Sequence, residues 1–184
     1  LIDKSINVNE MLLGDRNALM ISIRITGYGS LYSVDATCTH CSKPSTQDFN
    51  LSELGIKRLP IEPSSEGENL FAFKLPVTGK DVLFKFLTGA DDEERSIVAE
   101  RMEVEESITS KLEQQLVSVA GITDKNKINH FVKNMPARDS RALRTYIDKN
   151  SPGIDMNLWM KCKHCSESSQ VGLPIGINFF WPKE

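Results

Sequence analysis

Cys38-Thr39-His40-Cys41 and Cys162-Lys163-His164-Cys165 hold every cysteine of the 184-residue chain, four in two pairs. A Cys-x-x-Cys turn brings two thiolates to one side, where each can reach a zinc ion at ~2.3 Å, and two such turns complete a tetrahedron. Most of the chain lies between Cys41 and Cys162, far beyond the ~15–20 residues of an ordinary zinc ribbon. Loop-closure entropy grows only logarithmically with loop length, so a long insertion between the knuckles is tolerable. Both knuckles carry His before the second cysteine, follow a strand-like run, and lead into Ser and another strand. Facing turns around one metal account for that likeness.

The sequence therefore predicts one structural zinc per chain, held by Cys38, Cys41, Cys162 and Cys165, with no position left open for water. Competing chemistries lack support. Redox work requires one low-pKa cysteine in a thioredoxin-like setting. Structural disulfides need an oxidising compartment, and the sequence shows no secretory signal pattern. His40 and His164 flank cysteines that already suffice, and Lys43, Lys161 and Lys163 lie close enough in sequence to offset part of the charge of four thiolates on zinc.

Outward from the first knuckle, Leu31, Val34 and Ala36 lead in and Thr46 to Leu51 lead away, which is a hairpin tipped by the metal turn. Upstream, Asp15 to Arg24 reads as a short buried helix ending before Gly27, although the β-branched Ile21, Ile23, Ile25 and Thr26 would also suit a strand. Downstream, Pro60 to Glu68 has the turn chemistry of a surface connection. Leu70–Leu75 and Val82–Leu87 then flank Thr78-Gly79-Lys80-Asp81 as a second hairpin, which must pack on something because two strands alone are marginal.

Thr88-Gly89-Ala90-Asp91 fits a capping box opening a long helix, whose stripe Ile97, Arg101, Val104, Ile108, Leu112, Leu116 and Val119 repeats at threes and fours. A break near Glu103 to Ser107 would be compatible with that stripe. Asp124 caps a further helix through Val132, Pro136 interrupts it, and another carries Leu143, Tyr146 and Ile147. Met156–Lys161 and Gln170–Trp181 read as strands around the second knuckle. The expected fold is α+β: a zinc ribbon-like β unit formed by both chain ends, with a β-hairpin and helical insertion. Its expected segments are 1–87 (N-terminal helix, first knuckle and hairpin), 88–153 (helical insertion), and 154–184 (second knuckle and terminal strands, packing with 1–87).

Composition narrows the function. An apolar fraction of 40% and a charged fraction of 26% are ordinary for soluble globular proteins, and no run approaches the ~18 apolar residues of a membrane span. A net charge of −3 argues against general nucleic-acid affinity. There is no Gly-rich phosphate loop, nucleophile elbow or His-Glu zinc-hydrolase motif, and His130 sits in an amphipathic helix without a partner nucleophile, so no catalytic residue is assigned.

Gly14-Asp15-Arg16-Asn17-Ala18-Leu19, Arg24-Ile25-Thr26-Gly27-Tyr28-Gly29, the first knuckle followed by Phe49-Asn50-Leu51, Leu173-Pro174 and Phe179-Phe180-Trp181-Pro182 occur in an order that resembles a baseplate hub family of T-even-type contractile-tailed bacteriophages. The resemblance is densest in the N-terminal third and at the C-terminal end. It implies a structural or assembly component of the tail baseplate, in its hub region. The implied setting is the virion tail baseplate, assembled in the host cytoplasm. The implied partners are other baseplate or hub subunits, with no small-molecule substrate and no membrane. The long helix and the apolar terminus (Ile175, Ile177, Phe179, Phe180, Trp181) are candidate contacts, although the terminus is better read as completing the chain's own core. The alternative is a zinc-ribbon module that binds nucleic acid or regulates, using Lys125, Lys127, Lys133, Arg138, Arg141, Arg144 and Lys149.

Overall fold

The computed structural model describes residues 7–102, 108–173 and 175–181. In chain order the elements are α1 (Leu13–Tyr28), β1 (Leu31–Thr37), β2 (Pro44–Asn50), a 3-10 turn, β3 (Ile56–Lys57), β4 (Phe71–Lys74), β5 (Asp81–Phe84), α2 (Gly89–Met102), α3 (Ile108–Gln115), β6 (Leu116–Val119), α4 (Lys125–Lys133), α5 (Ala137–Asn150), β7 (Gly153–Ile154), β8 (Asn157–Lys161), β9 (Ser168–Gly172) and α6 (Ile177–Phe180). Helices alternate with small antiparallel sheets, an α+β arrangement. The chain divides into two compact units, one of Leu1–Arg16 with Arg58–Pro152, the other of Asn17–Lys57 with Gly153–Glu184.

In the first unit, β4, β5 and β6 form a three-stranded antiparallel sheet. Phe71, Leu75, Val82, Phe84 and Phe86 from the hairpin share one core with Leu112, Leu116, Ile128, Val132, Leu143 and Ile147. Burying each of these large side chains contributes about 1.5–3 kcal/mol. The hairpin therefore packs with these helices within the first unit. The helix expected to continue to Val119 ends early. Leu116–Val119 is a strand that pairs with β5, Val82 facing Val119 and Phe84 facing Leu116. A third strand satisfies backbone groups that an isolated hairpin would leave at an edge, and Val117 and Val119 are β-branched residues suited to it. The proposed break between Glu103 and Ser107, along with Val104, lies outside the described residues, as do the side chains of Arg101 and Ile108.

Helix starts follow their caps. The Thr88 N–H donates to Asp91 Oδ2 at 2.9 Å while the Asp91 N–H reaches Thr88 Oγ1 at 3.4 Å, the reciprocal capping box. Asp124 accepts from the Lys127 N–H at 2.9 Å at the start of α4, and Pro136 stands at the N-cap of α5.

In the second unit, β1–β2 and β8–β9 are antiparallel hairpins, with Thr37 facing Pro44 and Lys161 facing Ser168 at their tips. The helix read over Asp15–Arg24 is longer at both ends and closes at Gly29, whose φ of +84° favours glycine. Arg24 is buried, its guanidinium donating to the carbonyls of Gly29 and Leu31 at 3.0 and 3.3 Å and lying over the Tyr28 and Tyr32 rings. Ile21, Tyr32, Leu51, Leu173 and Phe179 form the core beneath it.

The terminal strand expected over Gln170–Trp181 stops at Gly172 and is followed by the single helical turn α6. Alternation along a strand would send Phe179 and Trp181 to one face. The turn separates them: Phe179 is fully buried, edge-on to Tyr32 at 5.0 Å, while Trp181 is 67% exposed.

Candidate metal centre

Each knuckle is the tip of a hairpin, and the hairpins carry equivalent residues at equivalent heights. Ala36, Cys38, Phe49, Met160 and Cys162 are buried together, with Val34, Cys41, Leu158, Cys165 and Val171 packed around them. Alternation along β1 and β8 puts Val34, Ala36, Leu158 and Met160 on the inner face, so each apolar ladder ends at a cysteine.

The turns themselves match bond for bond. Cys38 N–H donates to Lys43 O at 3.1 Å and Cys162 N–H to Glu167 O at 2.9 Å; Ser42 N–H returns to Cys38 O at 2.9 Å and Ser166 N–H to Cys162 O at 3.0 Å. Ser42 and Ser166 both take a left-handed conformation, φ 56° and 61°. The His40 N–H points at Cys38 Sγ at 3.4 Å and the His164 N–H at Cys162 Sγ at 3.3 Å. The repeated serine was visible in the sequence, but its backbone conformation was not.

These turns bring all four sulfurs within 4.8 Å of one another. Cys38 Sγ lies 3.7 Å from Cys165 Sγ, and Cys41 Sγ 3.7 Å from Cys162 Sγ. A tetrahedron with metal–sulfur bonds of ~2.3 Å has sulfur–sulfur edges of ~3.8 Å. The four cysteines are thus close enough to bind one metal ion, and the all-thiolate donor set fits a soft or borderline cation.

The electrostatics favour thiolate at the inner positions. Backbone N–H groups of Cys41 and His40 draw the Cys38 thiol down to about 6, and those of Cys165 and His164 act in the same direction on Cys162. At Cys165 the Glu167 N–H pulls downward, but burial and the three neighbouring sulfurs prevail and push the thiol up to about 12. Without a cation to compensate them, four crowded sulfurs cannot all ionise. The imidazoles stay out of the cluster: the His164 ring lies 3.3 Å from Pro44 O. Lys163 donates from Nζ to Thr46 O at 2.7 Å, tying the second knuckle to the first hairpin.

A family model described as T4 bacteriophage base plate protein matches residues 1–181. The chain belongs to that family. No curated protein and no solved structure matched it. As a baseplate protein it has a place in the virion tail, and membership implies interaction with other phage tail proteins. Among the described residues no helix is long and apolar enough to cross a membrane.

Of the residues singled out as basic in the sequence, the fold scatters several. Lys133 pairs with Glu113 at 3.8 Å, Lys125 shares a pocket wall with Asp91 and Glu94, and Arg144 stands beside Asp148.

Proposed function

We propose that this baseplate protein is a structural or assembly component of the hub region, and that zinc on Cys38, Cys41, Cys162 and Cys165 staples its two chain ends together. The single observation that carries the reading is the gathering of four sulfurs, from residues as far apart as 127 positions, within 4.8 Å of one another, two pairs of them at 3.7 Å. Zinc favours four-coordinate thiolate sites and undergoes no redox change, which suits a staple. The metal is a structural element of a zinc ribbon-like unit, and no catalytic residue is assigned. Other hub subunits are its partners, and assembly in the host cytoplasm, where thiols remain reduced, suits metal binding over disulfide formation.

Mass spectrometry of purified tails and of tail-assembly intermediates tests the role. The chain at a fixed ratio to hub subunits is the expected result; its absence from both would overturn the hub reading.

A further inference from the structure

The helix α5 turns Arg138, Arg141, Thr145 and Lys149 onto one face, at spacings of three and four that bring successive residues into line, with Ala142 beside them. That face, with Phe73, Pro76 and Tyr146, lines an open groove of about 490 Å³. The Phe73 and Tyr146 rings lie 4.6 Å apart and half-buried, forming an apolar floor. Arg138, Arg141 and Lys149 are exposed, none lies within ion-pair distance of a carboxylate among the described residues, and no carboxylate lines the groove. Asp139, the acidic neighbour of Arg138 and Arg141 in sequence, is fully buried and occupied by the N–H groups of Val77 and Thr78, and Asp148, next to Lys149, lies outside the groove, 3.9 Å from Lys111 Nζ.

We propose that this groove is a docking site for an acidic, extended segment of a partner protein, whose carboxylates meet Arg138, Arg141 and Lys149 and whose apolar side chain rests on Phe73 and Tyr146. Arg138 to Lys149 spans ~16 Å of helix, the length of ~5 extended residues. Arginine forks suit carboxylates in particular, and aromatic rings beside cations are typical interface anchors. Nucleic acid fits less well. A duplex-binding face commonly neutralises about 6–10 phosphates, whereas three cations line this groove and Lys125, Lys133 and Arg144 stand beside acids.

The proposal names a partner chemistry for the assembly role above and rests on it, but the two fail separately, since co-purification with tails can hold while the groove binds nothing acidic. The test uses fluorescence anisotropy on the full chain with three labelled probes: a Glu/Asp-rich peptide with one central Phe, the same peptide with Gln and Asn in place of the acids, and an oligonucleotide of equal charge. The acidic peptide should bind, the neutral peptide should not, and Arg141→Gln combined with Lys149→Gln should weaken binding at least about tenfold. Both substitutions are at exposed positions, and an unchanged melting temperature would establish that the variant is folded. No peptide binding, equal binding by the folded double variant, or tighter binding of the oligonucleotide would overturn the proposal.

Discussion

Ser42 and Ser166 stand at the same place in two copies of one turn: each has a left-handed backbone, and each returns its N–H to the carbonyl of the first cysteine in its knuckle, at 2.9 and 3.0 Å. The turn needs that conformation to carry the chain around both sulfurs and back into the second strand. A side chain with a Cβ is strained there by roughly 1–2 kcal/mol. Ser42→Gly and Ser166→Gly should each raise stability by up to about 1 kcal/mol, part of the relief being cancelled by the greater freedom of glycine in the unfolded chain. Thermal melts of the metal-loaded protein would check this. A clear loss of stability in both would mean that the serine hydroxyls hold the turns in some other way.

Asp139 should behave as an acid-sensitive clamp between α5 and the β4–β5 turn. Its carboxylate accepts from Val77 N–H at 2.7 Å and Thr78 N–H at 3.0 Å. Burial opposes its ionisation, but these N–H groups, the Thr78 hydroxyl and nearby Arg138 outweigh burial and hold the carboxyl below its ordinary 3.8. With the folded value depressed, the stabilisation is complete above the unfolded carboxylate's value of ~3.9 and disappears as pH falls through the folded value. At neutral pH Asp139→Asn should cost about 1–3 kcal/mol by leaving buried donors poorly matched, and the gap from wild type should narrow in acid. Urea unfolding across the acid range measures it; a gap independent of pH would exclude the charge as its origin.

Gly89 opens α2 where backbone comes close. A Cβ there would meet Val8 O at 3.0 Å, Asn9 Cα at 3.2 Å and the Arg16 guanidinium at 3.2 Å, and the Gly89 N–H donates to Met11 O at 3.0 Å. Arg16 can swing aside, but the two backbone atoms cannot do so without moving their segment. Gly89→Ala should destabilise the protein by about 1–3 kcal/mol, despite alanine's higher helix propensity. A melting temperature at or above wild type would show that residues 8–9 yield freely.

How far the sequence could be read follows from the range of each interaction. The knuckle hairpins were legible because cysteine spacing, strand alternation and the following serine all act within a few residues. The caps at Thr88 and Asp124 were legible for the same reason. Leu116–Val119 was misread because Leu112, Leu116 and Val119 continue a helical spacing, while the open edge of β5 that captures them lies more than thirty positions away, between Val82 and Phe84. The affiliation of the Phe71–Phe84 hairpin is likewise a matter of which distant helices cover its apolar face. Phe179 and Trp181 look alike in sequence, and only the turn of α6 separates a core ring from an exposed one. For the cysteines, sequence supplied the residue types and their pairing in two turns, and the fold supplied the 4.8 Å proximity across the chain.

Native mass spectrometry of the purified chain, run beside hydrogen exchange on the same samples, tests the zinc staple most directly. One zinc per chain is expected in the wild-type protein. In Cys38→Ser the zinc should be lost, with protection falling together at Tyr32–Phe49 and Leu158–Val171, because structural metal binding is coupled to folding. A wild-type chain without zinc, or a Cys38→Ser chain that keeps both its zinc and the protection of both hairpins, would contradict it.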